Sequence, residues 1–297
     1  MNDGKMTLKL TGVPETLLWP LYGRVAEARR PDGLLRDARA VRVFDGIDYP
    51  FEERFGRPSP VFALRARCFD KAVDEFLARK PDATVVVLGE GLETQFWRVD
   101  NGRMRWLTVD LPETLEVRNK LLPDSGRRSS LACSAFDTRW MDEVDPSNGV
   151  CIVAQGLLMY FARAEVDRLI AACAERFPGA VMVFDTLPTW LVRSAPGGSW
   201  LSTLFMRGRG SSDGPRRYRL PRMAWGTGFG ELNRIRRLHP AISVRDIHFP
   251  PGRGLVFGYL NPFLGVYPGI RDMRPRNLLL QFAEQAEGSG ATVEGSL

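Results

Sequence analysis

Histidine and cysteine are nearly missing from this chain: two histidines, His239 and His248, and four cysteines, Cys68, Cys133, Cys151 and Cys173, occur among 297 residues. The cysteines are far apart and form no Cys-x-x-Cys pair, which argues against a zinc centre or a disulfide framework, and no metal is expected. Neither histidine lies near the motifs described below, so neither is taken as a catalytic base. Lysine is scarce, and arginine supplies nearly all of the positive charge. Long apolar runs are lacking too. The best, Val150 to Phe161, is interrupted by Gln155 and Gly156 and falls short of the ~20 residues of a membrane span. The first residues, Met1 to Lys5, carry no apolar stretch of the secretory kind. These absences predict a cytoplasmic globular protein with no membrane partner.

What is present is a chain 44% apolar, 26% charged and +6 overall, long enough for one large α/β domain or two smaller ones. Residues 205–237 hold nine arginines (Arg207, Arg209, Arg216, Arg217, Arg219, Arg222, Arg234, Arg236 and Arg237) against Asp213 and Glu231. The segment reads either as a solvated face or as an electrostatic funnel for an anionic small molecule. No nucleic-acid-binding motif accompanies the charge, so no nucleic-acid partner is expected.

The middle of the chain alternates strand and helix patterns. Thr84-Val-Val-Val-Leu88, Arg105 to Val109, Ser130 to Ser134, Gly149 to Ala154 and Ala180 to Phe184 are short apolar runs that end in polar residues or glycine. They read as parallel strands buried on both faces. Phe69, Val73, Phe76 and Leu77 recur at helical spacing before the first of them, and Val166, Leu169, Ile170 and Cys173 before the last. Pro112 opens a further helix through Leu115 and Leu122. The alternation predicts an α/β, doubly wound, mostly parallel sheet. Residues 1–60 hold a helical stretch near Glu15–Arg29 and then proline-punctuated loops, an N-terminal cap on a core at 61–186. Residues 187–240, with Trp190, Trp200, Phe205, Tyr218, Trp225 and Phe229, are expected to form a lid or substrate wall. Ile242 to His248 and Leu255 to Tyr259 would complete the sheet within 241–284. Residues 285–297 read as a disordered tail.

In such a sheet ligands bind at the carboxyl ends of the strands. There the sequence offers Gly89-Glu90-Gly91-Leu92-Glu93-Thr94. A dinucleotide site wants a third glycine where Thr94 stands, and Glu90 and Glu93 would repel a pyrophosphate. The same carboxylates suit a ligand bearing ammonium and sulfonium groups, which favours S-adenosylmethionine over NAD. Asp110 ends the second strand, where a carboxylate can take both ribose hydroxyls. After the third strand, Asp137 can accept from the adenine amino group and Phe136 can cover the ring. Gln155 ends the fourth.

The run Val85 to Arg98, with its Gly-x-Gly-Leu-acid-Thr core, resembles motif I of the leucine carboxyl methyltransferase-like family, in the branch of tetracenomycin-type polyketide O-methyltransferases. Leu64-Arg-Ala-Arg-Cys-Phe-Asp70, Thr108-Val-Asp-Leu-Pro-Glu113 and Ala154-Gln-Gly-Leu-Leu-Met-Tyr160 are similar as well, as are Gly12 to Leu17 and Ile47-Asp-Tyr49. The resemblance implies a class I methyltransferase fold, Rossmann-like, with S-adenosylmethionine as cofactor. It further implies an arginine of the helix before motif I holding the methionine carboxylate, Arg67 or alternatively Arg65. Gly89 and Gly91 would admit the cofactor backbone, with Leu111 beside Asp110. Gln155 departs from the glutamate common at its position.

The reaction expected is methyl transfer to a carboxylate or hydroxyl oxygen of a small aromatic or polyketide-like acceptor. Tyr160 is the candidate to steady the sulfonium or orient that acceptor, against the alternative of a core tyrosine. Trp190 and Trp225 are candidate walls of the acceptor pocket, with Arg217 or Arg222 pairing an acceptor carboxylate. An NAD(P)-dependent oxidoreductase and a non-catalytic cofactor-binding protein are the competing readings, and the oligomeric state, monomer or homodimer, stays open.

Overall fold

The run Thr84–Leu88 is buried along its whole length, and so is Val150–Ala154 beside it. Val86 and Leu88 enter one core while Val85 and Val87 enter another, so both faces of the strand are covered and no polar alternation is needed. The computed structural model describes residues 6–7, 15–194, 221–228, 230–250, 252 and 274–284. Among these, the strands are β1 (Met6–Thr7), β2 (Ile47–Asp48), β3 (Thr84–Leu88), β4 (Arg105–Asp110), β5 (Arg128–Ala132), β6 (Val150–Ala154), β7 (Val181–Thr186), β8 (Ile242–Ile247) and β9 (Arg276–Phe282). The helices are α1 (Glu15–Ala28), α2 (Ala38–Asp45), α3 (Phe51–Phe55), α4 (Val61–Leu77), α5 (Gln95–Val99), α6 (Pro112–Leu121), α7 (Arg163–Arg176), α8 (Thr189–Ser194) and α9 (Glu231–Arg236).

Seven strands form one sheet in the order β5-β4-β3-β6-β7-β9-β8. Pairings from β5 through β7 are parallel, and β9 runs antiparallel between β7 and β8. The five expected parallel strands are all present, but β5, at the sheet edge, is partly exposed and not buried on both faces as expected. The third begins earlier than the pattern suggested, at Arg128, because its register is set by Trp106 of β4 opposite Arg128. The chain leaves β3 in one direction toward β4 and β5, then returns to β6 on the other side. The crevice above β3 and β6 is therefore the topological switch point.

Helices cover both faces. Phe69, Val73, Phe76 and Leu77 of α4 are buried against one face, and Val166, Leu169, Ile170 and Cys173 of α7 against the other. Helix α6 starts at Pro112, where the missing amide proton breaks no helical bond. Glu165 of α7 folds back to accept from the Ala162 amide at 3.0 Å. The cap differs from its expectation as loops after α1. Asp37 accepts from the Ala40 amide at 2.9 Å and starts α2, and Phe51 and Phe55 anchor α3. Together with Leu18, Trp19, Leu21 and Val25 they form a separate core that also takes in Leu92 of the glycine loop.

The antiparallel insertion of Arg276–Phe282 was not foreseen. It displaces Ile242–Ile247 to the sheet edge, one strand further from β7 than sequence order suggests. Trp200, Phe205, Tyr218, Phe229, the run Leu255 to Tyr259 and the tail at 285–297 lie outside the described residues. All four cysteines are buried and free. Among the described residues no helix is long and apolar enough to cross a membrane.

One ion pair is fully enclosed: Arg118 of α6 meets Glu90 at 2.7 Å, neither side chain reaching solvent. Burial pushes the Glu90 carboxyl up, and the Arg118 charge opposes that shift. Removing one member of such a pair strands the other, at a cost of about 3–5 kcal/mol. Urea unfolding of Arg118→Met should show a loss of that order. Adding Glu90→Gln to it should restore most of the stability.

Candidate active site

The loop after β3 is built around two glycines in left-handed conformation, Gly89 (φ 64°) and Gly91 (φ 55°). A Cβ on Gly91 would lie 2.6 Å from Leu17 of α1, and one on Gly89 would lie 2.7 Å from Leu157. Glycine thus lets the loop run close beneath the cap. Asp110, at the end of β4, accepts from the amides of Gly91 and Leu111, both at 2.8 Å. Burial pushes its carboxyl up, and the two amides counter that. Arg118 donates to the carbonyls of Gly91 and Glu93, at 2.5 and 2.9 Å, which fixes the loop from below.

Both loop carboxylates face inward to arginines rather than standing free for a cationic ligand. Glu90 also accepts from Trp106 Nε1 at 3.2 Å, beside its pair with Arg118. Glu93 pairs with Arg24 of α1 and Arg98 of α5, each at 2.9 Å. Burial alone would raise the Glu93 carboxyl, but the two guanidinium groups and the Thr94 amide outweigh it and hold the pKa at about 2. Arg98 reaches on to Asp37 at 2.6 Å and Asp70 at 2.7 Å, and Thr94 Oγ1 donates to Asp37 at 2.6 Å. The repulsion argument against a pyrophosphate therefore loses its force, since internal arginines already neutralise the charge.

Above this loop, at the switch point, opens a cavity of about 550 Å³. Its floor holds Gly89, Gly91, Asp110, Leu111 and Gln155, with Glu90 and Glu93 behind, so most of the expected cofactor residues do converge. Gln155 donates to Glu93 at 3.0 Å, and its Oε1, also buried, has no hydrogen-bond partner among the described residues. Arg65 of α4 enters the cavity and pairs with Asp185, at the end of β7, at 3.0 Å. Asp185 also accepts from the Gly156 amide at 2.5 Å. Gly156 is left-handed too, and a Cβ there would sit 2.9 Å from Arg65 Nη1. Tyr160 lines the same wall, where burial raises its hydroxyl pKa.

Other expected residues go elsewhere. Arg67 points to solvent, because two residues along a helix is a turn of about 200° from Arg65. Asp137 caps the short 3-10 helix Thr138–Glu143 and binds Arg139, outside the cavity lining. Phe136 also lies outside the lining and packs on Phe161, which does line it, with ring centroids 4.3 Å apart. Trp225 is buried in the main core against Phe184 and forms no pocket wall, and Trp190 is likewise not part of the lining. Arg217 falls outside the described residues, while Arg222 stands exposed at the cavity mouth. Of the other described arginines of that segment, Arg234 binds Asp167 and Glu231, while Arg236 and Arg237 donate to backbone carbonyls.

Sequence reasoning missed Arg24, Arg118, Asp185, Arg274 and Arg276, all of which line the cavity or brace its loop. A signal existed for two of them. Arg24 follows Leu21 by three residues on the apolar stripe of α1, and Arg118 follows Leu115 on that of α6; an arginine on such a stripe implies a buried counter-charge.

The leucine carboxyl methyltransferase family model matches residues 19–174. The tetracenomycin polyketide synthesis O-methyltransferase TcmP of Streptomyces glaucescens is 32% identical over 192 residues, 64% of this chain and 71% of that protein. An S-adenosyl-L-methionine-dependent methyltransferase of Gibberella zeae, dpfgK, is 28% identical over 60% of this chain and 65% of its own length. A solved O-methyltransferase family protein from Burkholderia thailandensis covers 92% of this chain and 71% of its own at 16% identity, with a TM-score of 0.45. The glycine loop, Asp110 and most of the cap thus lie within a matched segment, and the chain belongs to the leucine carboxyl methyltransferase family as an S-adenosylmethionine-dependent methyltransferase.

Proposed function

We propose that the chain methylates an oxygen, foremost a carboxylate oxygen, of a small aromatic or polyketide-like acid. The supporting observation is the make-up of the cavity wall: around Tyr160, whose hydroxyl pKa burial raises, stand apolar side chains, guanidinium groups and the carboxylate of Asp185, itself engaged by Arg65 and the Gly156 amide, while both imidazoles of the chain lie outside the lining. A carboxylate is already ionised at neutral pH and needs no base, whereas a phenol does. The relative named for tetracenomycin polyketide synthesis supports an acceptor of that general kind.

S-adenosylmethionine, when bound, supplies the electrophilic methyl group. The residues present fit it. Asp110 would take the ribose hydroxyls, Gly89 and Gly91 would leave room against the loop backbone, and Arg65 would face the methionine carboxylate. Gln155 Oε1 is a buried acceptor still lacking a partner among the described residues, suited to an ammonium group. The chain's own work in an in-line displacement is to align the acceptor oxygen and exclude water. Leu17 and Trp19 of the cap, with Phe62, Met159 and Leu191, supply the apolar enclosure. Tyr160, with its hydroxyl near Arg65 and Asp185, would orient the acceptor.

Two measurements test this reading. Asp110→Ala should weaken S-adenosylhomocysteine binding by about 10–100-fold in calorimetry, since it removes a charged acceptor that also holds the loop. Methyl release to 2-naphthoate should be flat between about pH 6 and pH 9, because the acid ionises well below that range and the Tyr160 hydroxyl well above it. With 2-naphthol the rate should be lower and should climb with pH; a faster reaction on the phenol would contradict the carboxylate assignment.

A further inference from the structure

Away from the glycine loop, the cavity wall is closed by the segment Arg274-Pro275-Arg276, which leads into β9. Both arginines are buried, 5% and 1% exposed, and both face one carboxylate, Asp246 of β8. Arg274 Nη2 lies 2.8 Å from Asp246 Oδ2 and 3.0 Å from His248 Nδ1, and Arg276 Nε lies 3.8 Å from the same Asp246 oxygen. Arg274 Nη1 donates to the Pro275 carbonyl at 3.3 Å. Its Nε is buried and has no hydrogen-bond partner among the described residues.

A guanidinium is rarely taken out of water without a full set of acceptors, and a donor left open on a cavity wall marks a place for one. Its position says whose acceptor that is. In the sheet, β9 stands three strands from β3, or about 14 Å at the usual spacing, so Arg274 is remote from the loop and from Asp110 on β4. In the reading above, the cofactor's own carboxylate would be faced by Arg65. Between the two ends Met159, Leu187, Leu191, Met223 and Phe249 form an apolar stretch of wall beside the Arg65–Asp185 pair and Tyr160.

We infer that Arg274, braced by Asp246 and flanked by Arg276, is the anion-recognition residue of the acceptor pocket. It takes an anionic group of the acceptor other than the oxygen that receives the methyl, at the far end of a hydrocarbon body that lies along the wall. This rests on the methyltransferase reading above and adds to it a specificity-determining residue outside the matched segment. Arginine suits the role because it keeps its charge when buried, and its Nε–H is left to donate while Asp246, His248 and the Pro275 carbonyl engage Nη2 and Nη1.

The test uses the full chain saturated with S-adenosylhomocysteine and two probes of equal shape, naphthalene-2,6-dicarboxylate and its 6-carboxamide, which differ only in the charge of the remote group, with affinities read by calorimetry. The unmodified chain should prefer the dicarboxylate by at least about tenfold. Arg274→Gln should erase that preference and Arg274→Lys should keep part of it. S-adenosylhomocysteine affinity should stay within about twofold in both variants. Failure of the unmodified chain to prefer the dicarboxylate, with S-adenosylhomocysteine still bound, would overturn the anion site alone. So would a preference that survives in Arg274→Gln, or a variant that loses the cofactor product together with it. Absence of any S-adenosylhomocysteine binding to the unmodified chain would instead remove the methyltransferase reading, and this inference with it.

Discussion

Glu93 lies between two guanidinium groups, one from the cap and one from the helix that follows its own loop. Arg24 approaches from α1 and Arg98 from α5, while Asp37, Asp70 and Thr94 complete the buried set. Charges so deeply enclosed are tolerable only when each has a partner at hydrogen-bond distance. The network thus imposes a geometric condition: the cap must dock for the loop to be satisfied. Leu92, which enters the cap's apolar core, imposes the same condition through packing. The cofactor loop and the helix above it are therefore one structural unit, although some sixty residues of sequence separate them.

That unit explains the shape of the cavity. The parallel strands deliver Gly89, Asp110, Gln155 and Asp185 to one rim, because every strand from β3 to β7 ends on the same side. The cap supplies the roof and β9 supplies the far wall. Charge in this space is ordered by position. Acids paired to internal arginines lie under the loop, Arg65 with Asp185 occupies the middle, and Arg274 with Asp246 stands at the end. A cofactor with one carboxylate and an acceptor with another can both be housed by such an arrangement without like charges meeting.

Much of this was legible in the sequence. The central parallel strands announced themselves because strands buried on both faces must be continuously apolar, whereas β5 at the sheet edge keeps Ser129 and Ala132 exposed, and the rim acid Asp110 follows from where its run stops. Helices α4 and α7 were legible from their 3.6-residue stripes. Strand β9 was not, since Arg276 and Asn277 open it with polar residues and its place between β7 and β8 depends on pairing across more than ninety residues. Of the two tryptophans expected on the pocket wall, Trp225 packs in the main core, where Phe184 offers a ring to pack on, and Trp190 is not part of the lining. Arg65 rather than Arg67 faces the cavity, a distinction settled by helix phase and Gly156 and not by residue type. The role given to Glu90 and Glu93 changed most, because a carboxylate's charge is visible in sequence whereas its buried partner, 5, 28 or 69 residues away on another element, is not.

If Glu93 is the joint between cap and loop, releasing it should loosen both at once. Hydrogen–deuterium exchange of Glu93→Gln against the unmodified chain reads this directly. Residues 15–28 and 89–95 are expected to gain deuterium together, with residues 163–176 on the far side of the sheet unchanged. Faster exchange in the cap while the loop keeps its protection would contradict the account.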